Sequence, residues 1–294
     1  MPLTTTREIV EDARARRVGV GAFNVITLEH AAAIVDGAER AGTAVILQVS
    51  ENAVRYHGGR LAPIAAAATA FGAAAPVPVS LHLDHVEDPC LMREAPGHGF
   101  SSVMFDASRM HFDANVAATR AAVEWAHDRG VYLEAELGDI GGKDGAHAPG
   151  VRTDPEQAAA YVAATAVDAL AVAVGSSHAM TTRSARIDRA LITRLRAAVP
   201  VPLVLHGSSG VGDDDLRAAV RAGIVKVNIG TILNVVYTAG VRKVLSDSTV
   251  IDPRKYLAPA RAEMAVAVHH LLRILADGHP DAPESDAAQA STAG

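Results

Sequence analysis

The chain has 294 residues, enough for two average domains or one large α/β barrel. Apolar residues make up 49% and charged residues 20%, so there is ample material for a sizeable core. A net charge of −6 with no basic cluster argues against a nucleic-acid surface, and a single cysteine, Cys90, excludes an internal disulfide framework and fits a reducing compartment.

The N-terminus, Met1-Pro2-Leu3-Thr4, lacks a basic stretch followed by an apolar one, so no signal peptide is expected. No uncharged apolar run reaches the roughly 18 residues of a membrane span. These features predict a soluble cytoplasmic protein with neither membrane nor nucleic acid among its partners.

Residues 5–17 read as an amphipathic helix with Thr5 or Thr6 as N-cap and Glu8, Glu11 and Asp12 in its early turns. Strand candidates follow at 18–24, 44–50, 77–84, 102–106, 131–136, 169–174, 201–206 and 225–229. Helical patterns occupy 28–41, 61–73, 90–97, 113–129, 155–165, 187–198 and 213–222, and then 232–246 and 258–276. Eight strands alternating with helices imply parallel strands joined by right-handed crossovers. The predicted fold is therefore α/β, a closed (β/α)8 TIM barrel with extra N- and C-terminal helices over residues 1–276. The tail 277–294, rich in Ala, Asp, Pro and Ser, is expected to be disordered. An open doubly wound sheet is the second choice; Gly19-Val20-Gly21-Ala22-Phe23 lacks the glycine spacing that would favour it.

Strand alternation sorts the polar residues. In 131–136, Val131, Leu133 and Ala135 share one face, and Tyr132, Glu134 and Glu136 share the other. Likewise Lys226 and Asn228 oppose Val225, Val227 and Ile229, and His82 shares a face with Asp84 while His85 begins the following loop. The outer face of a barrel strand packs under helices, so the polar set must point inward. Asn24, Ser50, Asp84, Asp106, Glu136, His206 and Asn228 then form a polar cup at the C-terminal mouth, where barrel enzymes do their chemistry. N-capping accounts for Ser50, Asp84 or Asp106 singly, but not for histidines at 85, 178 and 206 on three different strand ends.

Three imidazoles suit a zinc ion with an open position, although Co²⁺, Mn²⁺ and Fe²⁺ accept the same donors. Asp106 and Glu136 could orient the histidines or hold a second metal position. Glu134 and Lys226 lie one layer deeper, as an internal ion pair.

Several motifs, in order and spacing, resemble the class II, metal-dependent fructose-bisphosphate and tagatose-bisphosphate aldolases. They are His82-Leu83-Asp84-His85, Ser102-Val103-Met104-Phe105-Asp106-Ala107-Ser108, Glu134-Ala135-Glu136-Leu137-Gly138, Leu205-His206-Gly207-Ser208-Ser209-Gly210 and Lys226-Val227-Asn228-Ile229-Gly230-Thr231. The resemblance implies a dimeric or tetrameric barrel with zinc on His85, His178 and His206 and a sugar phosphate as substrate. It implies that Asp84 exchanges a hydroxyl proton, that Asp106 and Glu136 form an alternative metal position, and that Asn228 touches the donor near its reacting carbon. Gly207, Ser209, Gly230 and Thr231 match donor-phosphate positions, often beside a monovalent cation, and Asn24 and Ser50 match positions facing the substrate.

The chain departs from the family pattern at four places. Asp144 stands where a proton-moving Glu is usual, and Ala179 replaces a glycine whose backbone contacts phosphate. Thr181-Thr182 replaces a Tyr-Lys pair, and Ser208 replaces a second glycine after His206. The metal site is therefore expected to be kept and the donor-phosphate pocket altered, which points to a ketose substrate other than fructose 1,6-bisphosphate.

Overall fold

Eight short strands alternate with helices along the chain, as the apolar beat predicts. They are β1 (Val20–Asn24), β2 (Val45–Ser50), β3 (Val79–Val86), β4 (Ser102–Phe105), β5 (Tyr132–Glu136), β6 (Ala169–Val172), β7 (Leu203–Leu205) and β8 (Ile224–Ile229). Every neighbouring pair is parallel and in sequence order, and β8 pairs with β1, so the sheet closes into a barrel. The computed structural model describes residues 3–137, 152–176 and 185–277. Asp144, His178, Ala179, Thr181, Thr182 and the tail from residue 278 lie outside the described residues.

The helices are α1 (Thr6–Ala15), α2 (Leu28–Ala41), α3 (Glu51–Tyr56), α4 (Leu61–Ala74), α5 (Pro89–Glu94), α6 (Phe112–His127), α7 (Pro155–Thr165), α8 (Arg189–Ala198), α9 (Asp213–Ala222), α10 (Thr231–Val244) and α11 (Pro253–Ala276). Among the described residues no helix is long and apolar enough to cross a membrane. The two largest differences from expectation are a short helix that the periodicity does not give and an early start to the last one. The helix α3 starts directly at the end of β2, because Ser50 accepts a hydrogen bond from the Ala53 amide and caps it. The last helix starts at Pro253 rather than 258; Asp252 caps it, and Pro259 is accommodated inside it.

Two cores result. The larger lies between the barrel and the helices and takes the outward strand residues Leu47, Leu83, Leu133 and Val227. The smaller fills the lower barrel, where Ile9, Val10 and Ala13 of α1 plug the floor against Val20, Ile46, Tyr132, Val204 and Val225. Thr5 and Glu8 form a reciprocal capping box that starts this plugging helix.

Val225 is a correction to strict alternation: it packs inside the barrel with the inward set, not outside with Val227. Leu203 pairs with Ile224 but Val204 with Lys226, so β8 carries one extra residue there, and the bulge turns Val225 to the interior.

On the outer layer, α2 and α11 meet at Gly37. A Cβ there would lie 2.7 Å from Val268 Cβ and 2.8 Å from the Ala265 carbonyl oxygen. Gly37→Ala is therefore expected to destabilise the protein by about 1–3 kcal/mol through overpacking, despite alanine's better helix propensity. A urea midpoint equal to or above that of the unmodified chain would show that the two helices can move apart freely.

Candidate active site

The mouth of the barrel is assembled from strand ends, and β3 contributes most. Alternation alone would send Asp84 and His85 to opposite faces. Between Leu83 and Val86 the pairing with β4 slips by one residue, and His85 adopts φ 49°. This left-handed conformation is costly for a non-glycine residue and concentrates at functional sites. It leaves His85 within β3, not in the following loop as the sequence suggests. It also brings two consecutive side chains to one place, with His85 Nε2 3.9 Å from an Asp84 oxygen.

His85 Nδ1 donates to Asp106 Oδ2 at 2.8 Å, and Asp106 also accepts from the Ser108 amide and hydroxyl. This bond fixes the ring and leaves Nε2 as the lone-pair nitrogen. His206 is fully buried, with its ring centroid 4.8 Å from that of His85. Its Nε2 donates to Glu134 at 3.1 Å, and its Nδ1 lies 3.4 Å from Glu136 Oε2. Burial lowers the affinity of this imidazole for a proton, but Glu134 and Glu136 more than reverse that and raise its pKa to about 9.

Below the mouth runs a buried polar column. Lys226 Nζ donates to Glu134 at 2.7 Å, to Asn228 Oδ1 at 2.8 Å and, more loosely, to His82 Nε2 at 3.4 Å. His82 Nδ1 then donates to Ser102, which donates to Thr6 in the plugging helix. Burial and the neighbouring ammonium hold His82 neutral, with its pKa lowered to about 3. Glu134 is held ionised: burial opposes its charge, but Lys226 and His206 outweigh that. The ion pair expected between Glu134 and Lys226 is thus present, and with it the lysine's donors are occupied.

Asp84 is buried and accepts from Gln48 Nε2 and from Asn228 Nδ2, each at 3.3 Å. Burial raises its pKa, yet the surrounding imidazoles and Lys226 bring the net shift downward, so it stays a carboxylate. A cavity of about 140 Å³ opens above it, lined in part by Asn24, Asp84, His85, Asn228, Gly207, Ser208, Ser209, Gly230 and Thr231. Most of the expected substrate-facing positions therefore share one cavity.

Some of them are already engaged. Ser208 donates to the Asn228 carbonyl, and Ser209 Oγ accepts from the Ile232 amide at the start of α10. Ser50 caps α3 and does not line the cavity. Gln48, Ile26 and Asn234 line it and were not expected. Gln48 was visible as the inward partner of Ser50 in β2; Asn234 reaches the mouth from the first turn of α10, which strand alternation does not cover.

Among the described residues, two groups of side chains have donor atoms mutually within 4.8 Å: Asp84, His85 and His206, and His85, Asp106 and Glu136. Nitrogen and carboxylate donors converge in both, on rigid strand ends, and this donor set fits a divalent transition metal. The two groups share His85, so they lie side by side. His178 lies outside the described residues.

The sequence matches the family described as fructose-bisphosphate aldolase class-II over residues 4–278. The chain belongs to the class II fructose-bisphosphate aldolase family. A fructose-bisphosphate aldolase from Staphylococcus epidermidis is 38% identical over 277 residues, 93% of this chain and 97% of the relative. One from Thermus caldophilus is 39% identical over 287 residues, 88% and 93% of the two chains. Among solved structures, the YdjI aldolase from Escherichia coli K12 superposes with a TM-score of 0.82 at 30% identity, covering 94% of this chain and 98% of that one. The family is generally metal-dependent, in keeping with the donor groups at the mouth.

Proposed function

We propose that the protein is a metal-dependent aldolase that reversibly cleaves a ketose phosphate to dihydroxyacetone phosphate and an aldehyde. The observation that carries this reading is the convergence of His85 and His206 beside the buried carboxylate of Asp84, at the mouth of a barrel that belongs to this family. In this reading zinc is held by His85, His178 and His206, with Asp106 and Glu136 offering an adjacent position around His85. When bound, the ion supplies a Lewis acid against negative charge developing on the ketose oxygens, so no Schiff-base lysine is needed.

The chain's own residues do the rest. Asp84, oriented by Gln48 and Asn228, removes the proton of the hydroxyl on the acceptor side as the carbon–carbon bond breaks. Asn228 also places its amide at the donor's reacting carbon, and Lys226 fixes its oxygen from below. Asp144 exchanges the carbon-bound proton of the donor in place of the family's glutamate. Gly207, Ser209, Gly230 and Thr231 hold the donor phosphate at the start of α10, where the helix dipole favours an anion, with a monovalent cation nearby. Ala179 and Ser208 alter that pocket, and Asn24 completes the substrate side.

The substrate is read as a ketose phosphate other than fructose 1,6-bisphosphate, and the working form as a cytoplasmic homodimer or homotetramer. Chelation followed by dialysis is expected to abolish cleavage, and stoichiometric zinc to restore it; cleavage that survives complete metal removal would rule the mechanism out. Turnover across a panel of ketose phosphates and free ketoses addresses specificity. Efficient cleavage of fructose 1,6-bisphosphate alone would refute the altered pocket.

A further inference from the structure

At the opposite end of the barrel from the mouth lies a cavity of about 190 Å³. Four arginines from three helical regions line it: Arg14 of α1, Arg17 just after that helix, Arg196 of α8 and Arg221 of α9. All four are exposed, and no acidic side chain lines the cavity. Among the described residues, Arg17, Arg196 and Arg221 form no ion pair, in a chain whose net charge is −6. Some surface arginines elsewhere, such as Arg7, Arg16 and Arg217, are matched by carboxylates, and ones unpaired among the described residues, such as Arg40 and Arg194, do not line this cavity. Leaving four guanidiniums together around one hollow costs mutual repulsion, which an anion would relieve.

The local backbone serves this grouping. Arg14 Nη2 donates to the Pro200 carbonyl at 2.8 Å, which holds its guanidinium at the β7 side of the cavity. Arg17 takes φ 56°, a left-handed conformation that sharply reverses the chain after α1. Gly223 has φ 136° and lies under the stem of Arg196; a Cβ there would stand 2.5 Å from Arg196 Cδ. The missing side chain is therefore what lets Arg196 lie flat across the start of β8.

The floor is apolar: Val18 and Val201 are half-buried, and Val225, turned inward by the β8 bulge, retains 8% exposure. Guanidinium forks match phosphate oxygens two at a time, and a valine floor accepts a flat or apolar body. We propose that this cavity is a binding site for a small organic phosphate, a phosphoryl group on an apolar or planar body such as a nucleoside monophosphate. The arginines take the phosphoryl group and the valines take the body.

The test uses the full-length, metal-loaded protein and isothermal titration with adenosine monophosphate, inorganic phosphate and adenosine. Saturable binding of one adenosine monophosphate per chain is expected, with inorganic phosphate and adenosine each weaker by about tenfold or more. The Arg196→Ala/Arg221→Ala double variant is expected to lose about a hundredfold in affinity while its cleavage constants in the absence of nucleotide stay unchanged. On the unmodified chain, phenylglyoxal labelling mapped by mass spectrometry is expected to show Arg196 and Arg221 protected by the nucleotide, which also locates the site independently of the variant's folding. No saturable binding, binding undiminished in the double variant, inorganic phosphate binding as tightly as the nucleotide, or unprotected arginines would each overturn the proposal.

Discussion

Replacing Asp84 by asparagine is expected to lower the rate of cleavage by about 10²–10⁴-fold, the range for losing a positioned general base. The substitution is nearly isosteric, and an asparagine can still accept from one of the two donors, Gln48 and Asn228, that now hold the carboxylate. Imidazoles remain in place to bind metal, since His85 is oriented by Asp106 and His206 by Glu134. The expected signature is therefore an enzyme with its metal retained and its turnover lost. Metal content by mass spectrometry and steady-state cleavage, measured on the same preparation, separate the alternatives. Turnover within tenfold of the unmodified chain would remove Asp84 from the chemistry. Loss of the metal together with activity would make the carboxylate a ligand, as its membership of one donor group permits.

The contrast with His85 sharpens this expectation. His85 supplies donor atoms to both candidate metal groups, so His85→Ala is expected to lose metal and activity together.

Much of this arrangement is legible in the sequence because a barrel strand imposes a period of two. Glu134 and Glu136 in β5, and Lys226 and Asn228 in β8, point inward as alternation requires, and the polar cup follows from the ends of the strands. The same rule misleads at His85 and Val225. Each sits where one strand carries an extra residue relative to its neighbour, and a bulge is a property of two paired strands that neither sequence shows alone. Ser50 illustrates a different limit. A serine at a strand end serves equally as a substrate contact or as a helix cap, and only the position of the Ala53 amide distinguishes them. The arginine cavity was not legible, because its members are scattered from position 14 to position 221 and meet only when α1 plugs the barrel floor.

The largest stability effect is expected at Lys226. Its ammonium is fully buried and ion-paired with Glu134, which in turn holds His206. Lys226→Met keeps the stem and much of the volume but removes the ammonium beside Glu134, whose buried charge is then left to His206. Breaking a buried pair in this way costs about 3–5 kcal/mol, a large share of the 5–15 kcal/mol that typically holds a domain folded. Denaturant titration of the metal-free protein gives the value without a contribution from ion binding. The double variant Lys226→Met/Glu134→Gln distinguishes lost charge pairing from lost packing. A neutral glutamine carbonyl still accepts from His206 Nε2 and needs no counter-charge, so most of the stability is expected to return. If the double variant is less stable than Lys226→Met alone, the lysine acts through its packing and its bonds to Asn228 and His82, and the ion pair is not what the barrel interior depends on.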